Sequence, residues 1–518
     1  MGGLLLLQTE LGDDSSASDR LVLSGGAASG STGIAVVNVG GAGAQTTADG
    51  IMVVQAINGA TSIASAFALD APVAAGAFEY YLFKGGLVAG SAENWYLRST
   101  LVTPATPAAA SPASEPSPAL EPVPPETEPP PPPSELPPVP VPTDGDINNP
   151  PVDSTPPVQA SDPEPEAPPA PVEAPPADPP PPPPPVPTAV PDLPVPAAGQ
   201  QILLYRIEVP VYSAVPPVAE HLAMATLGTF HERRGEQNLL SDTELSPVWG
   251  RIFGQDAKMN WSGTVSPSFD GTLFGLQAGF DLFGRETGAG SVDRAGLFVA
   301  YDSMNGDLRG QALGQNDLAV GSLDVTGTSV GGYWTRLGKD GWYLDGVLMA
   351  TFFGGSAKSS RDIGIEVGGT GVTASLEGGY PISLAQGWTL EPQAQLVWQH
   401  LSLDDARDRF SSVSFDSDDD VTGRIGLRLQ GETVLNGVAL QPYLKANLWH
   451  DFGGTDTVDF EGTGISTESR STSFEFGGGV VAKVTDKVSV FATGDYTTNL
   501  GGDKRRVLEG NLGVSVKW

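Results

Sequence analysis

Two of the chain's four histidines, His400 and His450, lie at strand ends with aspartates close by. His400 precedes Asp404 and Asp405, and His450 precedes Asp451. A carboxylate that orients an imidazole makes a general base for hydrolysis. A hydrolase pair at the rim of a scaffold is therefore one reading of these positions. The plainer reading places both histidines at strand ends near an interface. The run DSDDD (416–420) has closely spaced carboxylates, which suit a hard cation such as calcium. It lacks the glycine and the distal glutamate of a calcium loop, so a solvated acidic loop is the better reading. No catalytic residue, metal ligand or cofactor is assigned.

Other chemistry is excluded more directly. There is no cysteine, hence no disulfide, thiolate metal site or cysteine nucleophile. That suits passage through an oxidising compartment. No glycine-rich phosphate loop, zinc signature or G-x-S-x-G elbow occurs. A formal net charge of -34 argues against a nucleic-acid partner. No apolar run reaches the ~18 residues of a membrane helix. The opening MGGLLLLQTELGDD has four leucines but no basic residue before them, and does not read as a secretion signal. If the protein is exported, its signal lies elsewhere, so the chain is read as the C-terminal part of a longer protein or a truncated gene.

With chemistry so sparse, the elements matter more. The 48 prolines and 65 glycines are unevenly spread and cut the chain into four pieces. Residues 1–100 are rich in Gly, Ala and Val. Residues 101–199 form a low-complexity proline tract, residues 200–242 hold a short helical pattern, and residues 243–518 are a series of strand-like segments. Proline fixes φ and removes the N–H, so the tract is expected to be a disordered, extended polyproline spacer. At ~3.1 Å per residue its reach is on the order of 300 Å. A ligand for an aromatic-lined groove is its alternative role.

The last piece alternates with period two. In GWTLEPQAQLVWQHL, Trp388, Leu390, Pro392, Ala394, Leu396 and Trp398 share one face, and Thr389, Glu391, Gln393, Gln395 and Gln399 share the other. In VALQPYLKANLWH, Leu440, Leu444, Ala446 and Leu448 oppose Gln441, Lys445 and Asn447. About twelve such segments occur, near 248–261, 270–283, 294–308, 322–337, 341–356, 367–383, 387–402, 420–432, 438–451, 470–484, 486–498 and 506–518. Most are long enough for the ~9–11 residues of a membrane-crossing strand. Short turns such as LGKDG (337–341) and VTDK (484–487) alternate with longer polar stretches such as NGDLRGQALGQNDLAVGS and DDARDRFSSVSFDSDDD. That describes an up-and-down barrel in an outer membrane. A soluble β-sandwich is the alternative, but tryptophans near strand ends fit an aromatic girdle better.

The chain closes on NLGVSVKW, with Leu512, Val514, Val516 and Trp518 on one face. Such an ending resembles the signal read by the outer-membrane barrel-assembly machinery. Trp518 is expected at the lipid–water boundary, where indole rings concentrate. The last strand is expected to pair with the first, which removes both edges.

Ahead of the barrel, VPPVAEHLAMATLGTFHERRGEQ starts with prolines acceptable at a helix start and reaches Gly235, a suitable cap. One helix over about 216–234 is predicted. A lumen twelve strands wide has room for it. Its polar residues Glu220, His221, Thr226, Thr229, His231, Glu232, Arg233 and Arg234 are expected to hydrogen-bond the polar lumen wall. The alternative is an ordinary helix packed on a soluble domain.

This helix ending TLGTFHERRGEQ, followed by VWGRIFGQ and a twelve-strand barrel with an aromatic end, resembles the translocator of a type V autotransporter over residues 200–518. GWYLDGVLMATFF and LEGGYPISLAQGWTLEPQAQLVWQH are similar to the middle of that barrel. In residues 1–100, LVLSGG, GIAVVNVGG and GIMVVQAING recur about every 20 residues, which suggests rungs of a β-helix. AGAFEYYL and NWYLRS resemble the closing motif of a pertactin-like passenger, with Phe78, Tyr80, Tyr81, Trp95 and Tyr96 as cap aromatics.

The resemblance implies an all-β chain. A right-handed parallel β-helix fragment leads through the linker to a 12-stranded antiparallel transmembrane barrel around one α-helix. It implies surface display or secretion of the chain's own passenger, adhesion among the passenger's roles, and no enzyme activity. Implied partners are outer-membrane lipid, the assembly machinery, periplasmic chaperones and a host surface ligand, around a monomeric barrel. Some members cut themselves at an asparagine on the helix. None stands between Pro216 and Gln237, whereas Asn148, Asn149 and Asn238 lie outside the helix, so that route is not expected here. The rival function is a porin-like channel with an N-terminal extension.

Overall fold

The computed structural model describes residues 3–102, 193–197, 199–235, 248–287 and 290–517. Trp518, the asparagines at 148, 149 and 238, and nearly all of the proline tract lie outside these residues.

Twelve antiparallel strands close into one ring. They are β1 Val248–Asn260, β2 Ser268–Glu286, β3 Val292–Ala312, β4 Gln315–Leu337, β5 Tyr343–Ser359, β6 Gly364–Gly379, β7 Trp388–Leu403, β8 Asp420–Gly431, β9 Val438–Asp451, β10 Ser471–Lys483, β11 Val488–Gly502 and β12 Lys504–Val516. Each pairs with its chain neighbour, and β1 closes on β12 from Val248 opposite Val516 to Asn260 opposite Lys504. Closure leaves no free edge, as an apolar surrounding requires.

The alternation is inverted relative to a soluble protein. Leu396 is 55% exposed and Trp398 36%, whereas Glu391 is 2% and Gln395 6% exposed. Phe274, Leu276, Leu297, Val299, Leu348, Phe352, Ile425, Leu427, Leu444, Phe476, Leu508 and Leu512 all point outward. A continuous exposed apolar band on a closed antiparallel barrel defines an outer-membrane barrel.

The polar stretch between the third and fourth segments is no loop. β3 and β4 run on to Ala312 and Gln315, joined only by Leu313 and Gly314 at φ 52 and 72. Two successive positive φ values make a tight hairpin whose twist matches its strands. The acidic stretch 404–420 is also partly ordered. Strands 406–407 and 412–417 join 455–460, 463–468 and 262–263 in a separate five-stranded sheet at the barrel end opposite Val248 and Val516.

Residues 3–102 stack parallel strands. Leu4–Thr9 pairs with Thr32–Asn38, which pairs with Phe67–Leu69, and Leu21–Ser24 pairs with Ile51–Ile57. The repeat is therefore longer than the expected 20 residues: Leu4 stands opposite Gly33, and Thr32 opposite Phe67. LVLS and TGIAVVN do not stack on each other, because they belong to different sheets. Antiparallel strands follow, with Trp95–Arg98 between Ile51–Ile57 and Phe78–Lys84. The linker strand Gln201–Leu203 then returns and pairs with Thr100–Val102.

The expected single helix is three: α1 Glu208–Ser213, α2 Val215–Leu227 and α3 Phe230–Arg234. The helical path begins earlier than Pro216, since Val209, Val211 and Tyr212 supply apolar surface that the barrel interior buries completely. It breaks at Gly228, whose φ of 58 places the position where a Cβ would sit 2.7 Å from Arg251 Nη1. Thr229 restarts it with a capping box: its side chain accepts from the Glu232 N–H, and Glu232 accepts from the Thr229 N–H at 2.9 Å.

Candidate functional site: a plugged lumen

The three helices occupy the barrel interior. On one side Val215, Val218, Leu222 and Leu227 are fully buried in an apolar cluster with Met304, Leu323, Val325 and Met349 of the wall. Elsewhere the contact is polar, because every second residue of each strand faces inward and in this lumen many of those are charged.

The expected lumen contacts can be followed along the plug. Glu220 is buried, and its carbonyl accepts from Gln399 Nε2 at 3.1 Å. His221 Nε2 meets Gln255 Oε1 at 2.8 Å, and its Nδ1 meets Arg505 Nη2 at 2.8 Å. The Thr226 hydroxyl donates to Asp302 at 2.6 Å. Its carbonyl, left free at the end of α2, accepts from Arg251 at 2.6 Å.

Below the break the pairs become denser. The Phe230 N–H donates to Glu377 at 2.9 Å. His231 Nε2 meets Glu391 at 2.8 Å and its Nδ1 meets Arg428 at 2.9 Å. Glu232 pairs with Lys445, which also holds Glu475 at 2.9 Å and Asp495 at 3.1 Å. Arg233 pairs with Asp345 at 2.5 Å and Arg234 with Asp281 at 2.9 Å. Both guanidiniums stand over the Tyr333 ring, at 5.8 and 5.1 Å. Thr229 makes its cap rather than a wall contact. The wall partners come from most of the strands, so the plug is held from around the ring.

Narrow cavities of about 70 and 60 Å³ lie between the plug and the wall formed by β7 to β12 and β1. Each has room for a few waters but none for a passenger chain.

Among the remaining predicted positions, Leu512 and Val514 point outward beside the apolar band, with Val516 half-buried at the closing seam. His400 pairs with Asp419 at 2.8 Å, not with Asp404 or Asp405, and His450 meets Thr472 at 2.9 Å. Asp418 and Asp419 of the acidic run are engaged by the Thr455 N–H and by Trp398 and His400. In the end region, Phe78, Tyr80, Trp95 and Tyr96 are buried. Trp95 packs edge-on against Phe67 at 5.3 Å and donates to Ser62 at 3.0 Å. Tyr80 donates to the Gly12 carbonyl at 2.9 Å, and Tyr81 to Glu79 at 2.9 Å.

Sequence reading missed the wall acids and bases individually, although they are the inward members of the alternation. It also missed Arg206, for which no local pattern exists. Arg206 is fully buried where the linker reaches the barrel. It pairs with Asp408, donates to Ser411 Oγ and to the Gly76 carbonyl, each at 2.6 Å, and meets Glu208 at 3.3 Å. Burial opposes its charge, but Asp408 and Glu208 outweigh this and hold its pKa above the ordinary arginine value.

The fold and its occupied lumen define a plugged outer-membrane barrel. Residues 248–495 match the family model described as the autotransporter beta-domain, and residues 1–82 match the autochaperone domain type 1. The chain thus carries an autotransporter beta-domain, the plugged barrel, behind a region that matches an autochaperone domain. It is 27% identical over its whole length to the adhesin BmaC autotransporter of Brucella suis, of which it covers 13%. It is 30% identical over 59% of its length to the pertactin autotransporter of Bordetella bronchiseptica, of which it covers 32%. An uncharacterized Escherichia coli protein, YdeU, is 25% identical over the whole chain and is covered to 95%. In fold, the chain is similar to the transport unit of the autotransporter AIDA-I from Escherichia coli, with TM-score 0.51 and 20% identity, over 61% of this chain and 100% of that one.

Proposed function

We propose that this chain carries its own passenger across the outer membrane and then closes the route behind it. The passenger comprises residues 1–100 and whatever chain precedes them. The barrel (243–518) inserts with Val248 and Val516 on the periplasmic side. The passenger crosses through the lumen, and the segment 200–242 stays behind as plug. Residues 101–199 are a spacer, and the parallel strands of residues 1–100 are the last turns of a right-handed β-helix closed by the cap aromatics. Folding of this end outside supplies the driving force, since a folded cap cannot slide back. The reading includes outer-membrane lipid, the assembly machinery and periplasmic chaperones as partners of a monomeric barrel. The C-terminal residues Leu512, Val514, Val516 and Trp518 serve as the assembly signal. An adhesive passenger with a host surface ligand is the reading the Brucella relative's name favours. Export and display, not catalysis, is the activity.

The observation that carries this is the helical segment threading a closed barrel, paired around its circumference. A porin-like channel has no use for a lumen filled in this way. The test is protease shaving of intact cells that express the chain behind an added secretion signal, with an epitope near residue 10. Loss of the epitope with survival of a heat-modifiable barrel is expected. An epitope protected until the outer membrane is opened would leave the N-terminal region in the periplasm and overturn the reading.

A further inference from the structure

The passenger end does not merely emerge near the barrel. Glu79 is 3% exposed and receives a two-pronged bond from Arg361, at 2.6 and 3.0 Å. Arg361 stands in the short turn between β5 and β6. The Gly76 N–H donates to the Phe410 carbonyl at 3.4 Å, in the turn between strands 406–407 and 412–417. The Gly76 carbonyl receives Arg206 Nε, and the other nitrogens of that guanidinium reach Asp408 and Ser411 in the same turn. The aromatic rings of Phe410, Phe460 and Tyr212 surround Arg206 at 5.5, 5.4 and 5.7 Å. Phe78 stacks on Tyr205 at 5.5 Å.

The linker is clamped between the two bodies. Its strand 201–203 covers the edge of Thr100–Val102, its Leu204 carbonyl accepts from the Glu79 N–H at 2.9 Å, and its Tyr205 carbonyl accepts from the Leu313 N–H at the tip of the β3–β4 hairpin at 2.8 Å. Gly76 is required by shape as well: its φ is 54, and a Cβ there would lie 2.1 Å from the Ala42 carbonyl oxygen.

A buried arginine is stable only when its charge and donors are all answered. Here the answering groups come from three separated stretches: the passenger end, the helical plug segment and a barrel turn. We propose that the turns at 360–363 and 404–411 form a docking surface for residues 76–79 of the same chain, with Arg206 as its bolt. The docking fixes the base of the passenger rigidly on the barrel mouth. It rests on the translocator reading only in that it forms once residue 206 has passed the lumen.

The absence of cysteine makes the test clean, because two introduced thiols are the only labelling sites. Val88→Cys in the passenger end and Asp405→Cys in the barrel turn, both exposed, are spin-labelled in the purified full chain in detergent. The parent pair is expected to give one narrow distance distribution. Arg206→Ala and Arg361→Ala are each expected to broaden it, and the double variant to broaden it most. Arg361→Lys keeps the charge but not the fork, and is expected to fall between. Heat-modifiable migration checks the barrel in each variant. If Arg206→Ala blocks assembly, Arg361→Ala alone decides. A broad distribution in the parent, or an unchanged narrow one after Arg361→Ala, overturns the proposal. Failure of the shaving experiment would leave this measurement unaffected, so the two readings fail separately.

Discussion

The Arg233 guanidinium of α3 meets the Asp345 carboxylate of β5 at 2.5 Å, with the two side chains 1% and 2% exposed. Asp345 also accepts from the Thr335 hydroxyl at 2.5 Å. A plug held by such a pair is positioned by charge geometry, not only by bulk. Removing one partner of a buried pair costs ~3–5 kcal/mol, because the other charge is left unanswered. Asp345→Ala is therefore expected to loosen α3 while leaving the barrel closed. In planar bilayers the variant is expected to show more and larger openings than the parent. Unchanged conductance would mean that the pair does not retain the plug.

Lys445 is held by Glu232, Glu475 and Asp495 at once. Replacing it with Met leaves three carboxylates close together and away from bulk water. Replacing Glu475 with Gln removes only one of three anions and keeps a hydrogen-bonding group. Lys445→Met is thus expected to lower the heat-modifiability transition by clearly more than Glu475→Gln. Addition of Glu232→Gln to Lys445→Met is expected to recover part of the loss. Equal effects of the two single changes would refute this hub role.

The barrel was legible in the sequence because a membrane strand needs its outward residues apolar and its inward ones polar, as in Leu396 beside Gln395. What such a pattern omits is which inward residue meets which. Asp345 and Arg233 are 112 residues apart, and Arg206 and Asp408 are 202 apart. Strand register and plug depth jointly decide those meetings. The β3–β4 hairpin was mistaken for a loop because glycines and charges interrupt its alternation, yet Leu313–Gly314 alone turns the chain. The helix break was readable in principle: Gly228 followed by Thr229, with Glu232 three residues on, is a stop and a capping box. The β-strand repeat of the first hundred residues was misjudged because equally apolar runs lie in different sheets.

Trp95 packs against Phe67 and spends its N–H on Ser62, at the centre of the passenger end. Truncating a buried tryptophan costs ~3–5 kcal/mol, a large part of what a region this small has in reserve. Trp95→Ala, or polar replacement of both Trp95 and Tyr96, is expected to make residues 3–102 protease-sensitive and to impair surface display. The barrel's heat-modifiable migration is expected to stay as it is. Normal display from such variants would refute a driving role for folding of this end.

The outward face of β7 offers a test of depth. Leu396 stands mid-strand at 55% exposure, and Ser402, also outward, stands near the end of the strand close to the turn at 404–411. An arginine on the lipid face costs ~2–4 kcal/mol at the midplane and ~0–1 near an interface. Leu396→Arg is therefore expected to reduce the folded fraction in bilayers strongly, and Ser402→Arg to reduce it little. Arginine at Gln399, which faces the lumen, is expected to fall outside this depth rule, because it answers to the plug and not to lipid. There it displaces the hydrogen bond to the Glu220 carbonyl, and its effect is read in conductance before stability. Equal losses at 396 and 402 would mean that the apolar band is not centred on Leu396. The twelve strands would then sit at another height in the membrane, and the turns that dock the passenger end would no longer clear its surface.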